Sequence, residues 1–428
     1  MAMSHDLNRR GFILAAGSLL VHGPAWSAQN KVASAAAFID SVGVCIHIDS
    51  EPYVSRFSQV RSLLGRSGIR HVRDELRPTN NLGRWRELST AFDIRWNILV
   101  SPATNTVAQM LAYLEAFGIS HVSAIEGQNE GDSEWFMSLP ETGDNWSSKV
   151  NAYQRDVYQA LRARYSAASL PIVSPSVIDW KPADVLRLRE SADFSDIVAI
   201  HAYIQHGQEP ETRDDYASIS WYLREMRDHF KPGAPAMVTE TGYNNLVMPS
   251  SASVSERAAA IYLPRLLLNN FRNGILRTFL YEFMDEGNDP ANSEAHWGLV
   301  RSDGTPKPAF DAISNLLAGL SDLGGKAAAS RGLEATVLSP EPDVQSISFQ
   351  KRDGSIILAL WRAVRCWNPE KAEDSVVAAR PVTLSLSGDV KTVEMMVPNT
   401  SARWNSLTPQ SREVTIPLTD AVVLVRIL

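Results

Sequence analysis

Cysteine is scarce in this chain of 428 residues, which contains only Cys45 and Cys366. Two cysteines this far apart exclude a disulfide-rich scaffold and lack the close spacing of a zinc site, so we expect both thiols to be free. Loops that bind the phosphates of a nucleotide cofactor are also absent, because no GxGxxG or GKS/T motif stands in a suitable context. The sequence therefore predicts neither a cofactor nor a bound metal.

Positive charge is in the minority, with 41 Lys and Arg against 48 Asp and Glu and a net charge of −7. Such a chain has no basic field to hold a phosphate backbone, so we expect no nucleic-acid partner. The 24 glycines and 23 prolines follow no period and 44% of residues are hydrophobic, which excludes collagen-like and disordered classes. The length predicts a globular protein of two domains.

The first 28 residues have the order of an export signal. Arg9 and Arg10 precede an uncharged apolar stretch that runs to Val21, and small residues follow at 25–28. This order is typical of a signal peptide, and the paired arginines are typical of twin-arginine export. A short membrane anchor is the alternative, but the stretch is below the roughly 20 residues that a span needs. We expect residues 1–28 to be removed, leaving a periplasmic or secreted bacterial protein without a membrane segment.

From residue 41 onward, short apolar runs alternate with longer segments whose apolar residues lie three or four apart, as in parallel strands joined by helices. The runs number eight, as in a (β/α)8 barrel: 42–48, 69–76, 94–100, 122–126, 171–177, 196–201, 235–239 and 276–282. Helical periodicity then gives way to strand-like runs. The predicted fold class is α/β, with a (β/α)8 TIM barrel over residues 40–323 followed by a small β-sandwich domain over residues 326–428.

Carboxylates stand at the ends of two predicted strands. The fourth strand ends in Asn129-Glu130, and the seventh ends in Glu240. In a parallel barrel the C-terminal strand ends share one rim, so we expect these two carboxyl groups to face one cleft. Cleavage of a glycosidic bond needs such a pair, one to protonate the leaving oxygen and one to attack or stabilise the anomeric carbon.

With these motifs the sequence resembles the retaining glycoside hydrolases of clan A, and families 39 and 5 most, over residues 41 to about 320. In that clan an Asn-Glu dipeptide ends strand four and its Glu is the acid/base, which the resemblance assigns to Glu130. Strand seven supplies the nucleophile, which the resemblance assigns to Glu240. The resemblance implies a carbohydrate partner: β-glycosidic bonds of a polysaccharide or oligosaccharide, cleaved by double displacement.

The resemblance also implies substrate-binding residues around the two glutamates. Strand two commonly presents an arginine near the nucleophile, here Arg73, and strand six a histidine and a tyrosine, here His201 and Tyr203. Arg73 and Tyr203 would favour the charged form of the nucleophile. Asn129 is expected to hydrogen-bond the sugar 2-hydroxyl, an interaction that strengthens in the transition state.

Further candidates lie near the predicted rim. His47 lies near the end of strand one and is a candidate substrate contact. On strand eight, where many clan members have a tryptophan, this sequence has Tyr281 and Glu282, either of which can occupy that position. Aromatic rings stack on the apolar face of a sugar, so four tryptophans in rim loops are candidate platforms: Trp135, Trp146, Trp180 and Trp297.

Two other functions compete with this interpretation. A catalytically weak carbohydrate-binding barrel would keep the scaffold but lack covalent chemistry at Glu240. A metal-dependent hydrolase would need clustered His and Asp ligands at strand ends, where only His47 and His201 of nine histidines are expected. Glu126 is the rival of Glu130 on strand four, and we expect it to be a deeper, structural carboxylate.

Overall fold

The computed structural model describes residues 32–178, 181–211, 216–248, 253–322 and 332–428. The predicted signal at 1–28 and the candidate platform Trp180 lie outside these residues. Val32–Leu428 form one compact unit, and the domain limits 40–323 and 326–428 stay predictions. In the described part, no helix is both long and apolar enough to cross a bilayer.

Eight parallel strands form the central sheet, and the first of them pairs with both the second and the eighth. A parallel bridge between Val173 and Ile197 joins the two edges of the sheet, which closes it into a barrel. The predicted barrel is confirmed, and each predicted strand overlaps an observed one. In chain order the strands are Val42–Cys45, His71–Glu75, Arg95–Leu99, Val122–Glu126, Ile172–Val173, Val198–His201, Ala236–Thr241 and Thr278–Leu280.

Helices surround the barrel because the segments between strands have one apolar face to bury. Local signals set their ends: Thr106 and Gln109 form a capping box, and Gly68 ends the first long helix in a left-handed conformation with φ 80°. The long helices are Phe57–Ser67, Leu82–Phe92, Val107–Phe117, Trp146–Arg162, Glu256–Arg272 and Pro308–Leu320. Shorter ones are Ala35–Asp40, Glu134–Met137, Pro182–Arg187 and Ile219–Glu225.

A β-sandwich follows the barrel, as predicted. A six-stranded sheet comprises Val344–Gln350, Ile356–Arg362, Val393–Met396, Asn405–Leu407 and Val423–Ile427 together with Ala33–Ser34, which pairs in parallel with Val344–Gln350. A three-stranded sheet comprises Glu334–Val337, Arg380–Ser387 and Glu413–Leu418. Trp367–Asn368 and Glu373–Asp374 form a separate pair.

The strand Ile356–Arg362 of the larger sheet has apolar side chains on both faces, and it packs the sandwich against the barrel. Leu358 and Leu360 pack in the cluster between the two sheets, whereas Ile357 and Trp361 point to the opposite face and join the core that contains the barrel helices. Because successive side chains in a strand face opposite sides, one apolar run serves both interfaces. The sandwich is therefore packed directly on the barrel.

Candidate active site

Arg73 is the centre of a buried network at the strand ends. From the second strand, its Nη1 donates to Glu240 Oε1 at 2.8 Å and its Nη2 donates to Asn129 Oδ1 at 2.7 Å. Its Nε and Nη2 also donate to the two carboxylate oxygens of Glu126, at 2.9 and 3.0 Å. Burial opposes the charge on Arg73, but the Glu126 and Glu240 carboxylates outweigh it and raise the pKa of the guanidinium. Arg73 is therefore a permanent cation between two carboxylates.

Glu240 is buried on the seventh strand and accepts two hydrogen bonds. Besides the bond from Arg73, the Tyr203 hydroxyl donates to Glu240 Oε2 at 2.9 Å. Burial and the neighbouring Glu240 carboxylate raise the pKa of Tyr203 well above its ordinary value, so the hydroxyl keeps the proton that it donates. A cation and a neutral donor both stabilise an ionised carboxylate, which is the form that attacks carbon.

Glu130 is held at the end of the fourth strand by contacts on both its backbone and its side chain. Its backbone has φ 42°, a left-handed conformation that few non-glycine residues adopt, and its N–H donates to Ser176 Oγ at 3.0 Å. Its carboxylate Oε1 lies 2.7 Å from His201 Nδ1. Glu130 is half-buried and lines the cleft, so solvent can reach its carboxyl group.

The two carboxyl groups face one cleft of about 560 Å³. One carboxylate oxygen of Glu130, one carboxylate oxygen of Glu240 and one ring nitrogen of His201 all lie within 4.8 Å of one another. Nine of the residues predicted at the site line this cleft: His47, Arg73, Asn129, Glu130, Trp135, Tyr203, Glu240, Tyr281 and Trp297. Side chains that are distant in sequence are thus brought together at the C-terminal ends of the strands.

His201 and Glu282, both predicted to contact substrate, are fully buried and lie outside the cleft wall. His201 lies behind Glu130; burial opposes its protonation, but the Glu240 and Glu130 carboxylates outweigh burial and raise its pKa. Glu282 Oε2 accepts a hydrogen bond from Tyr53 Oη at 2.9 Å and lies 3.6 Å from His47 Nε2. Both residues therefore contact side chains that line the cleft.

Burial lowers the pKa of His47 to about 4, so this side chain is neutral in the folded protein at pH 6. The unfolded chain binds a proton at His47 near pH 6.5. As the pH falls from about 6.5 to about 4, the unfolded state takes up this proton first and folding loses stability. His47→Gln removes this contribution, so urea unfolding should show the wild type losing more stability than the variant in that range. Parallel pH curves would contradict the assignment.

Sequence reasoning missed several residues that line the cleft, among them Gln128, Arg77 and Glu294. Arg77 lies four residues after Arg73, and this even spacing along extended chain, which puts side chains on one face, could have revealed it. Gln128 directly precedes Asn129 at the end of strand four. Glu294 comes from the loop after strand eight and carries no comparable signal. Among the candidate platforms, Trp135 and Trp297 line the cleft, whereas Trp146 is buried in the core.

Among the residues that the structure describes, two groups of side chains could hold a metal ion, although the sequence predicted none. One is the group Glu130, His201 and Glu240. The Arg73 guanidinium already lies 2.8 Å from Glu240, so a cation bound there would be repelled by the like charge of Arg73. The other is His47, Glu282 and Glu286, in which His47 Nε2 lies 3.6 and 3.7 Å from the two carboxylates. Its members come from strand one and from the end of strand eight, so their proximity exists only in the folded chain.

The fold and the site define a class of proteins: parallel barrels with two carboxylates in one cleft at the C-terminal rim. One of these carboxylates, Glu240, pairs with Arg73, and the other, Glu130, faces the same cleft. No protein-family model matches the chain, and no curated protein sequence matches it. Solved structures do match.

The chain is similar to a family 39 glycoside hydrolase from the gut symbiont Bacteroides cellulosilyticus WH2, at 18% identity and a TM-score of 0.62, over 92% of this chain and 82% of that one. It is also similar to a glucosidase from Croceicoccus marinus, at 11% identity and a TM-score of 0.57, over 86% of this chain and 91% of that one. These similarities confirm the barrel with its β-rich C-terminal region. They agree with the resemblance of the sequence to clan A glycoside hydrolases, and to family 39 in particular.

Proposed function

We propose that the protein is a retaining glycoside hydrolase that cleaves β-glycosidic bonds in a polysaccharide or oligosaccharide. The observation that carries the proposal is the placement of Glu130 and Glu240 in one cleft, with one carboxylate oxygen of each within 4.8 Å of the other. Retaining enzymes hold their two carboxyl groups about 5–5.5 Å apart, whereas inverting enzymes need about 6.5–9.5 Å to admit a water molecule. The short separation supports double displacement.

In the first step, a Glu240 oxygen attacks the anomeric carbon while the glycosidic C–O bond breaks and Glu130 gives its proton to the departing oxygen. Hydrogen bonds from Arg73 and from the Tyr203 hydroxyl hold the Glu240 carboxylate in position until it forms the covalent glycosyl ester. Asn129 is oriented by Arg73 and lines the cleft, where it can hydrogen-bond a sugar hydroxyl.

In the second step, Glu130 takes a proton from water, the water oxygen bonds to the anomeric carbon, and the Glu240 carboxylate leaves. The 2.7 Å contact with His201 holds Glu130 in place for both proton transfers. Two attacks from opposite faces restore the starting configuration, so the product is the β-anomer.

The test is a screen of the purified protein against bacterial and plant polysaccharides, with Glu240→Gln as the inactive control and products identified by mass spectrometry. NMR of the fresh products then gives their configuration before mutarotation. Cleavage by the wild type alone with β-anomers formed first is the expected result. First formation of α-anomers would replace the retaining mechanism with an inverting one. Binding without cleavage would favour the alternative, a carbohydrate-binding barrel.

Glu130→Ala is expected to separate substrates by their leaving groups. For poor leaving groups such as alcohols, kcat/KM should fall about 10²–10⁴-fold, because the leaving oxygen no longer receives a proton. For a dinitrophenyl glycoside, which needs no proton, kcat/KM should change by less than ~10-fold. Glu294→Ala removes a carboxyl group elsewhere in the cleft and should show no such separation. Equal losses of Glu130→Ala on both substrates would remove Glu130 from the acid role.

We further propose that residues 1–28 direct twin-arginine export to the periplasm or beyond. Arg9 and Arg10, directly before the apolar stretch, support this proposal. Replacing both arginines with lysine should leave the precursor in the cytoplasm of a bacterial host, as seen by immunoblots of cell fractions; processing equal to that of the wild type would contradict it.

A further inference from the structure

Trp135 presents a largely exposed indole ring to the cleft. Its side chain is 57% exposed, and it lines the same cleft as Glu130 and Glu240. The other tyrosine and tryptophan rings along the described cleft pack on one another: the centroid of Trp297 lies 5.1 Å from that of Tyr203 and 6.3 Å from that of Tyr281. Because Tyr203 donates to Glu240, this second group of rings lies at the nucleophile. The cleft therefore has two separate aromatic regions.

The position of Trp135 in the chain places it on the side of the acid/base. The Ser133 N–H donates to the Glu130 carbonyl at 2.9 Å, so the chain turns directly after Glu130 and enters the helix Glu134–Met137 that carries Trp135. Glu130 protonates the departing oxygen in the proposed mechanism, so the leaving group lies on this side of the cleft. Trp135 therefore lies on the acid/base side of the cleft, and Trp297 lies on the nucleophile side.

The segment that carries Trp135 is firmly anchored. Phe136, the next residue, is fully buried, and its N–H donates to Ser133 Oγ at 3.3 Å. The Asp132 carboxylate accepts the Ile178 N–H at 3.0 Å, which ties the turn to the loop after strand five. A Cβ at Gly131 would lie 3.0 Å from the Trp146 ring, so the backbone here packs closely on the helix Trp146–Arg162. A ring held on such a support binds a partner with little loss of conformational entropy.

An exposed ring on a rigid support suits one kind of partner in a polar cleft. The C–H face of a pyranose covers aromatic surface while its hydroxyls stay hydrogen-bonded to water and to polar side chains. We propose that Trp135 is the stacking platform for the departing sugar, so that the substrate is a glycan with carbohydrate on both sides of the cleaved bond. This inference rests on the proposed function and adds the class of its leaving group.

The test compares two substrates with the same glycone: a β-linked disaccharide, whose leaving group reaches the platform, and the β-glycosyl fluoride, whose leaving group does not. The probe pairs are cellobiose with β-glucosyl fluoride, xylobiose with β-xylosyl fluoride, and any oligosaccharide cleaved in the screen with its corresponding fluoride. For Trp135→Ala, kcat/KM on the disaccharide should fall ~10–100-fold, as for other anchoring tryptophans. On the fluoride it should stay within ~2-fold of the wild type, because no contact with Trp135 is lost.

Two matched variants keep the result interpretable. Trp135→Phe retains a ring and should recover most of the activity on the disaccharide. Leu186→Ala truncates another exposed apolar side chain, 54% exposed and outside the cleft wall, and should leave both substrates unaffected. The proposal that Trp135 binds the departing sugar would be overturned if Trp135→Ala kept wild-type activity on the disaccharide, or if it lost equal activity on both substrates. If the wild type cleaves no carbohydrate, or Glu240→Gln cleaves as well as the wild type, the proposed function itself has failed.

Discussion

Glu240→Ala is expected to abolish glycoside hydrolysis, lowering kcat at least ~10⁴-fold on an aryl β-glycoside, as losses of other covalent nucleophiles do. The carboxylate supplies the electron pair that forms the covalent intermediate. The neighbouring Glu126 cannot replace it, because Glu126 is fully buried and both of its carboxylate oxygens are bonded to Arg73. Steady-state release of the phenol measures the effect. Activity within ~10-fold of the wild type would exclude Glu240 as the nucleophile.

Azide should distinguish the two glutamates by the product that it forms. In Glu240→Ala, azide fits the space left by the carboxylate and attacks from that face, so the product is the α-glycosyl azide. In Glu130→Ala, the glycosyl ester on Glu240 still forms from an activated substrate, and azide attacks it from the opposite face to give the β-glycosyl azide. NMR gives the configuration of each glycosyl azide and so assigns the two roles. A β-azide from Glu240→Ala and an α-azide from Glu130→Ala would make Glu130 the nucleophile and Glu240 the acid/base.

Arg73→Met is expected to lower the free energy of unfolding by ~3–5 kcal/mol. Arg73 is the buried cation shared by Glu126 and Glu240, and its loss leaves the fully buried Glu126 carboxylate without its ion-pair partner. Activity should fall as well, because the Glu240 carboxylate loses the hydrogen bond from Arg73 that orients it. Urea unfolding of the wild type and the variant at neutral pH measures the change in stability.

Two variants test this explanation. Arg77→Met removes a cation from the same part of the chain, but Arg77 is mostly exposed and pairs with Glu75 at the cleft edge, so its loss should cost less than ~1 kcal/mol. Arg73→Met combined with Glu126→Gln removes one of the unpaired buried charges and should be more stable than Arg73→Met alone. Equal costs of Arg73→Met and Arg77→Met would show that the buried network contributes nothing beyond a surface ion pair.

The barrel could be predicted because its signals are local. Eight short apolar runs, each followed by a segment of helical periodicity, specify parallel strands without any knowledge of their neighbours. The strand ends then follow from the fold class, so Asn129, Glu130 and Glu240 could be placed on one rim. The resemblance to clan A added Arg73 and Tyr203, although 167 residues separate Arg73 from Glu240, to which it donates a hydrogen bond.

Other features depend on contacts that no local pattern encodes. Ala33–Ser34 precede the barrel but pair with Val344–Gln350 in the C-terminal sheet, because a two-residue strand acquires its partner only when both ends of the chain are folded. His201 and Glu282 have the residue types of substrate ligands. Whether such a side chain reaches the cleft or lies behind another one is decided by the packing of neighbouring strands and loops.

The sequence by itself determined the fold class and the carboxylates at the strand ends, because hydrophobic periodicity and residue type are properties of the chain alone. Only the tertiary structure decided which groups are paired, buried or open to the cleft. The charge state of Arg73, the neutrality of His47 and the exposure of Trp135 follow from solvation and from neighbours distant in sequence. Those conditions arise when the strands close into a barrel and the loops pack over its rim.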